Sequence, residues 1–248
     1  MNRKVRLVVF AIGALGVAVV FLAAVNAMPG FGGSEHPYRD LAVPAAFMHH
    51  TANSVTSLVF DTRGIDTLGE EMILFGSVIA VAALLRPTKG ETKRAPHSEQ
   101  RQLLEPVRLL GFVLLPLTLV VGLDVVAHGH ITPGGGFQGG VVLATGVHLT
   151  YLAGSYRALE RIRPVESFET VEALGAAAFV LLGIAAIGTS GAFLANFLST
   201  GALRGLLSAG TVPVLNGAVG IAVGAGMVVA LASFFDQALV IEADDSSS

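Results

Sequence analysis

Long stretches without any charged residue dominate the pattern of this chain. They cover residues 7–34, 173–203 and 205–235. A helix needs roughly 20 mostly apolar residues to cross the hydrocarbon core of a bilayer. A transmembrane barrel would alternate polar and apolar residues over short segments, whereas these stretches are apolar on all sides. The pattern therefore predicts an all-α integral membrane protein with about six transmembrane helices.

The predicted spans form two groups with a polar linker between them. The six spans cover residues 5–27, 67–85, 107–127, 137–156, 171–194 and 212–235. Residues 87–106 carry charges of both signs, together with Pro87 and Pro96, which predicts an irregular linker. The predicted organisation is a two-span module over 1–86, this linker, a four-span module over 107–236 and an acidic tail over 237–248.

The segments between the spans predict loops and one short helix. Residues 28–43 are rich in glycine, proline and polar residues, and residues 157–169 are charged, so both predict loops. Residues 44–60 are only moderately apolar, which predicts a re-entrant, buried or interfacial helix that does not span. The acidic, serine-rich residues from 236 onward predict a frayed tail.

Lysine and arginine concentrate in alternate loops. They lie before the first span, in the linker and after the fourth span, whereas the intervening loops hold only Arg39, Arg63 and Arg204. Because short cytoplasmic loops are enriched in these residues, both termini and the linker are predicted to be cytoplasmic. The basic start precedes a long apolar run without a strong cleavage site, so it predicts a retained helix rather than a signal peptide.

Composition narrows the chemistry further. Charged residues make up 13% of the chain and hydrophobic residues 53%, which is far from the balance of a soluble domain. Cysteine is absent, which excludes disulfides and thiolate metal sites within the chain. The net charge of −3 gives no support to a nucleic-acid partner. Since no nucleophile, metal-ligand cluster or cofactor motif emerges, we expect no enzyme activity, no metal and no cofactor.

A glycine-rich segment joins the third and fourth predicted spans. It contains Thr132-Pro133-Gly134-Gly135-Gly136-Phe137-Gln138-Gly139-Gly140. Consecutive glycines with a proline cannot sustain a regular helix. Two interpretations remain open: a tight hairpin that lets two helices pack closely, or backbone amides at the start of the fourth span that bind an ion. The accidental GxGxxG match is not a dinucleotide site, because no strand precedes it.

Four carboxylates and an arginine lie at the entrance to the second predicted span. They are Asp61, Arg63, Asp66, Glu70 and Glu71. A carboxylate within the hydrocarbon costs about 2.5–3.5 kcal/mol on insertion scales, so it calls for a reason such as ion transfer. Residues 67–70 also fit a helix capping box, which would place the acidic residue at the membrane interface instead.

Three further side chains in the third and fourth spans are candidates for a proton relay. Asp124 and His128 are four residues apart and share a helix face, so they form either a relay or an interfacial ion pair. His148 lies in the middle of the fourth span. An intramembrane histidine is a functional candidate by default, and a neutral histidine bonded to a neighbouring helix is the alternative.

Two of these motifs resemble a known family. The segment TPGGGFQGG at 132–140, following Gly129-His130, resembles the B subunit of Mrp-type (Mnh) sodium/proton antiporters over residues 104–237. The segment 53–70, which ends in DTRGIDTLGE, resembles the C-terminal part of the A subunit over residues 45–85, which corresponds to a small subunit in membrane-bound hydrogenases. The chain therefore resembles the tail module of an A subunit joined to a B subunit.

The resemblance implies a role in ion transfer for the acidic entrance. It places Glu70 at the family's acidic position, with Asp61, Arg63 and Asp66 as its neighbours. Glu71 departs from the usual pattern, in which an apolar or hydroxyl residue often follows, so both carboxylates stay candidates.

The resemblance also implies a setting for the chain. We expect one subunit of a multi-subunit Na⁺/H⁺ antiporter, with other Mrp subunits as partners, in the bacterial cytoplasmic membrane. Two other functions stay open. One is a membrane-arm subunit of a related hydrogenase or other redox enzyme, and the other is a purely structural linker subunit.

Overall fold

The computed structural model describes residues 3–28, 32–86, 105–153 and 165–245, which are helices joined by turns. Most of the predicted linker, 87–104, and most of the charged loop after the fourth span, 154–164, lie outside these residues. The prediction of an all-α membrane protein is confirmed, because the described residues contain no strand and include five helices long and apolar enough to cross a membrane.

Eight helices and one π-helical turn make up the described part of the chain. The π-helical turn is Leu58–Thr62 and lies between α3 and α4. The helices are α1 (Arg3–Asn26), α2 (Pro37–Met48), α3 (Ser54–Ser57), α4 (Gly64–Leu84), α5 (Glu105–Ala127), α6 (Gly136–Ala153), α7 (Val165–Ser190) and α8 (Val212–Asp245).

Five of these helices are long and apolar enough to cross a membrane. The candidate spans are Arg3–Asn26, Gly64–Leu84, Arg108–Ala127, Ser167–Ser190 and Val212–Phe234, which match five of the six predicted spans. The remaining predicted span corresponds to α6, described over 18 residues. Its glycines, Gln138 and His148 make it less apolar than the others, so a sixth span stays a prediction.

Two loop predictions and the prediction of a frayed tail are wrong in part. Helix α2 begins at Pro37 within the predicted loop 28–43, because a proline's fixed φ suits the first position of a helix. Helix α7 begins at Val165 within the predicted charged loop, where acidic residues near its N-terminus favour helix formation. Helix α8 continues to Asp245, beyond the predicted end of the sixth span, since residues 237–243 include strong helix formers such as alanine, leucine, glutamine and glutamate.

The chain divides into two compact units, Met1–Leu41 and Ala42–Ser248. The first contains α1 and the start of α2. The second contains the rest of α2 and all later elements, and helix α8 is at its centre. Helices α4, α5, α6 and α7 all pack against α8, and α5 also packs against α6. The shared apolar core is lined by Phe60, Phe179, Leu215 and Val219.

Small residues allow α8 to approach its neighbours closely. A Cβ added at Gly140 of α6 would lie 2.9 Å from the carbonyl oxygen of Gly220 and 3.0 Å from the amide nitrogen of Gly224. A Cβ added at Gly175 of α7 would lie 2.7 Å from the amide nitrogen of Ala222. Backbones that touch in this way gain dispersion contacts where lipid offers no hydrophobic driving force.

Three connections meet at one end of the second unit. The amide of Asn53 donates to the carbonyl of His130, which joins the segment before α4 to the turn between α5 and α6. Gly64, at the start of α4, lies against Leu194 in the connection between α7 and α8. We name this region the loop end. It is the side that the charge pattern predicts to face away from the cytoplasm.

Candidate ion-transfer site

The loop end is held together by the side chain of Asn53. Its Oδ1 accepts the amides of Val55 and Thr56 and so caps α3. Its Nδ2 donates to the carbonyls of Gly129 and Thr132 at 2.8 and 2.9 Å. The hydroxyl of Thr56 also donates to Gly129, at 2.7 Å. These bonds fix the entrance of α4 to the glycine-rich hairpin, across more than 70 residues of sequence.

A second asparagine, Asn216 of α8, anchors the other side of the hairpin. Its Oδ1 accepts the amide of Gly136 at 2.8 Å. Gly134 and Gly135 have φ values of 152° and 149°, which favour glycine. A Cβ added at Gly139 would clash with Val126 of α5. The geometry fits the tight-hairpin interpretation, because the first amide of α6 is already bonded to Asn216 rather than open to an ion.

His130, which sequence reasoning passed over, is buried inside the loop end. It is 0% exposed, and its Nε2 lies 3.4 Å from the carbonyl oxygen of Gly205 in the connection between α7 and α8. Burial lowers the pKa of this imidazole below its ordinary value, although hydrogen bonds to the backbone at Gly205 and Leu206 act in the opposite direction. His130 therefore favours the neutral form. Its side chain packs between the turn that joins α5 to α6 and the connection between α7 and α8.

Two of the predicted acidic residues are paired within the chain. Asp61, in the π-helical turn, forms a hydrogen-bonded pair with His49. Asp66 accepts a hydrogen bond from Nε of Arg63 at 2.6 Å, one turn away along the chain. Pairing satisfies both carboxylates at the mouth of α4.

The capping-box interpretation of residues 67–70 is wrong. Helix α4 begins at Gly64, so Thr67 lies inside its first turn. The hydroxyl of Thr67 donates to the carbonyl of Val59 at 2.6 Å, in the preceding π-helical turn. The residue pattern of a capping box is present, but helix α4 starts three residues before Thr67.

Glu70 and Glu71 lie in different surroundings. Glu70 is exposed on the outer surface of α4. Glu71 is 1% exposed and belongs to the buried face of α4, together with Gly64, Thr67 and Val78. Neither carboxylate oxygen of Glu71 has a hydrogen-bond partner in the described part of the chain. Adjacent residues on a helix point about 100° apart, so only one of the two can face α7 and α8.

Glu172 of α7 is a second buried carboxylate, and sequence reasoning missed it. It is 3% exposed, and its Oε1 has no partner among the described residues. A Cβ added at Gly226 of α8 would lie 2.6 Å from this oxygen and 3.3 Å from Val78 of α4. The available signal was an acidic residue inside the predicted span 171–194.

The relay candidates form no chain with Glu71 in the described contacts. Nδ1 of His128 lies 2.9 Å from Oδ1 of Asp124, and both side chains are well exposed at the loop end. This arrangement fits the surface ion pair that the sequence left as an alternative. His148 is partly buried on α6. Among the residues described, no group of three or more His, Asp or Glu side chains is placed to hold a metal ion.

Comparison with known proteins decides the family. Residues 106–229 match the domain related to the MnhB subunit of Na⁺/H⁺ antiporters. The chain belongs to this family. The resemblance inferred from the glycine-rich motif is thereby confirmed, and the chain is a multi-pass membrane protein of the MnhB-related family.

Two curated relatives extend the match. An uncharacterized protein of Methanocaldococcus jannaschii is 33% identical over 210 residues, covering 77% of this chain and 79% of the relative. A probable A/B subunit of a K⁺/H⁺ antiporter from Rhizobium meliloti is 31% identical over 137 residues, covering 46% of this chain. The matched region is only 14% of that much longer protein.

Two solved structures have the same fold. A chain of the membrane-bound sulfane sulfur reductase, an archaeal respiratory membrane complex, aligns with a TM-score of 0.69 at 29% identity, covering 91% of this chain and 97% of that one. A chain of the Mrp complex from Dietzia sp. aligns with a TM-score of 0.66 at 27% identity. The second match covers 94% of this chain but 26% of the Mrp chain.

Proposed function

We propose that this chain is one subunit of a multi-subunit monovalent cation/proton antiporter and that Glu71 is its ion-transfer carboxylate. The observation that carries the proposal is a fully buried glutamate with both oxygens lacking a partner among the described residues, inside an apolar helix of an MnhB-related protein. A bare carboxylate in such a place is costly, so it is held there as the neutral acid or as a partner of a cation.

The protonated form and the cation-bound form of Glu71 together provide the exchange of a proton for a cation. A monovalent cation that binds the carboxylate displaces its proton, and a proton that returns displaces the cation. Charge at the site stays balanced in both forms, which keeps the cost of burial low. Asp61 with His49 and Asp66 with Arg63 are paired at the mouth of α4, before Glu71 in the chain. We assign them to the entrance rather than to the exchange itself.

This proposal moves the role from Glu70, the residue favoured by the family resemblance, to Glu71. Glu70 is exposed on α4, where its charge stays solvated or faces a neighbouring subunit. Glu71 faces the interface of α4 with α7 and α8. Only a carboxylate enclosed by protein can make protonation and cation binding exclude each other strongly.

Exchange requires partners. The chain spans only about a quarter of the Mrp chain that it matches and a smaller part of the A/B subunit of the K⁺/H⁺ antiporter. We therefore propose that other antiporter subunits complete the path for Na⁺ and H⁺, that the complex resides in the bacterial cytoplasmic membrane, and that the isolated chain does not transport.

The test compares Glu71→Gln with Glu70→Gln in the whole complex. Glutamine keeps the shape of the side chain and removes its charge and its ionisable proton. Na⁺-driven proton movement in inverted membrane vesicles, normalised to the amount of assembled complex on native gels, is expected to fall at least about tenfold for Glu71→Gln. Glu70→Gln, one residue away, is the matched control and is expected to stay near wild type.

Three other outcomes would each reject part of this proposal. Full exchange by Glu71→Gln would remove this residue from the mechanism. Loss of assembly with normal exchange per assembled complex would favour the structural linker function instead. A loss confined to Glu70→Gln would return the role to Glu70.

A second candidate function is a membrane-arm subunit of a respiratory redox complex. The full-length match to a chain of the sulfane sulfur reductase complex favours it, because 97% of that chain is covered. The buried carboxylates would then couple redox energy to ion movement rather than exchange two ions. Purification of the native complex and identification of its subunits decides between the two, since a redox enzyme brings subunits with metal-ligand cysteines.

A further inference from the structure

A second carboxylate occupies the same helix interface as Glu71. Glu172 lies in α7, within the candidate span Ser167–Ser190, and is 3% exposed. Its Oε1 has no partner in the described part of the chain. Two buried carboxylates thus lie in neighbouring transmembrane helices, and each has an oxygen that no described residue satisfies. Each is costly to bury, so one role that accounts for both is the simplest explanation.

The two residues are linked through Val78. Val78 and Glu71 lie two turns apart on the buried face of α4, about 10 Å along the helix axis. Val78 and Oε1 of Glu172 both lie within 3.3 Å of the point where a Cβ of Gly226 would be. Glu172 is therefore placed beyond Glu71, at the level of Val78, where α4, α7 and α8 meet.

The direction of the helices orders the two carboxylates. The start of α4 lies against Leu194, just after the end of α7, so α4 and α7 run antiparallel. Glu71 is therefore nearer the loop end, and Glu172 is nearer the opposite end of the bundle. An ion that enters at the loop end would meet Glu71 first and Glu172 second.

Gly226 provides the space for the second carboxylate. A Cβ at this position would lie only 2.6 Å from Oε1 of Glu172, which is closer than real contacts of this kind. Any larger residue would force the carboxylate of Glu172 to shift. By contrast, a Cβ at Gly217 of the same helix would meet nothing within 4 Å.

We propose that Glu172 is a second ion-transfer carboxylate, which binds in turn the proton and the monovalent cation that Glu71 handles, in a space kept open by Gly226. This inference rests on the proposed antiporter function. At each carboxylate one cation replaces one proton, so charge and atoms balance without any further reactant.

The experiment uses the intact complex in inverted vesicles. Glu172→Gln is compared with Glu169→Gln, an exposed glutamate three residues earlier on α7. We expect Glu172→Gln to lower Na⁺-driven proton movement per assembled complex by at least about tenfold, and Glu169→Gln by less than about twofold. Glu172→Asp is expected to restore part of the exchange with a raised Na⁺ concentration for half-maximal rate.

Two further measurements separate ion binding from structure. Gly226→Ala is expected to raise the Na⁺ concentration for half-maximal exchange, while Gly217→Ala leaves it unchanged. Dicyclohexylcarbodiimide, which modifies protonated carboxyls in apolar surroundings, is expected to label Glu172 in the complex, and Na⁺ is expected to reduce the labelling. Mass spectrometry of the labelled peptide reads this directly.

The outcomes distinguish this inference from the proposed function. Normal exchange and normal Na⁺ dependence in Glu172→Gln, with exchange lost in Glu71→Gln, would overturn the inference and leave the antiporter function intact. Normal exchange in both variants would overturn both. Labelling of Glu172 that Na⁺ does not affect, with Na⁺ dependence unchanged in Glu172→Asp and Gly226→Ala, would also overturn the inference.

Discussion

Replacement of Asn53 tests whether side chains at the loop end hold α4 against the glycine-rich hairpin. Asn53→Ala removes the cap of α3, which is worth about 1 kcal/mol, within a range of roughly 0.5–2. It also removes donation to the carbonyls of Gly129 and Thr132, each worth about 0.5–1.5 kcal/mol net. The carbonyl of Gly129 keeps the hydroxyl of Thr56, which limits the loss there.

The sum for Asn53→Ala is a destabilisation of about 2–3 kcal/mol. For a chain of this size, each kcal/mol lowers the melting temperature by about 2–4 °C. We therefore expect the thermal midpoint of the detergent-solubilised complex, followed by loss of its monodisperse peak, to fall by roughly 4–12 °C.

Asn53→Asp separates the cap from the hairpin contacts. Aspartate is as good a cap as asparagine, so the bonds to the amides of Val55 and Thr56 remain. It has no amide group, and a carboxylate oxygen would face two carbonyl oxygens at the place of Nδ2. We expect Asn53→Asp to be at least as destabilising as Asn53→Ala. A midpoint equal to that of the wild type would refute the claim that the hairpin contacts matter.

Two further predictions concern the hairpin. Gly139→Ala drives a Cβ into Val126, so we expect the free energy of unfolding to fall by about 1–3 kcal/mol in the same thermal assay. Gly69→Ala is the control, because a Cβ there meets nothing within 4 Å. Equal midpoints for the two variants would contradict the close packing at Gly139. Burial lowers the pKa of His130 below 6.5, so the unfolded chain binds the proton first as pH falls. The contribution of His130 to stability is therefore expected to be full above about pH 6.5 and to decline below it. We expect His130→Gln to weaken this decline. Equal pH dependence of stability in the wild type and in His130→Gln would exclude His130 as its source.

At the acidic entrance of α4, the local residue pattern predicted the site but not which carboxylate is buried. The sequence singled out the right segment, because carboxylates beside an apolar run are conspicuous whatever the fold. It did not separate Glu70 from Glu71, since the choice depends on which side of α4 faces its neighbours. Helix α4 begins two residues after the π-helical turn Leu58–Thr62, and no residue pattern in 58–62 predicts this turn.

The environments of Glu172 and Asn53 could not be predicted from neighbouring residues either. The partners that define their environments, Gly226 and the hairpin carbonyls, are 54 residues away in one case and more than 70 in the other. The near neighbours of a residue in the sequence do not reveal partners at such a distance. A buried carboxylate next to a distant glycine leaves no local trace, apart from its own charge within an apolar span.

Local features of the chain were enough to establish the class of protein, the positions of five spans and the hairpin between α5 and α6. The spans follow from the apolar length that a bilayer requires, and the hairpin follows from the inability of consecutive glycines and proline to continue a helix. The central position of α8, the inward orientation of Glu71 and the presence of Glu172 beside the same interface emerged only from the folded arrangement. Rotation of each helix about its axis is set by packing with other helices, and packing depends on residues far apart in the chain.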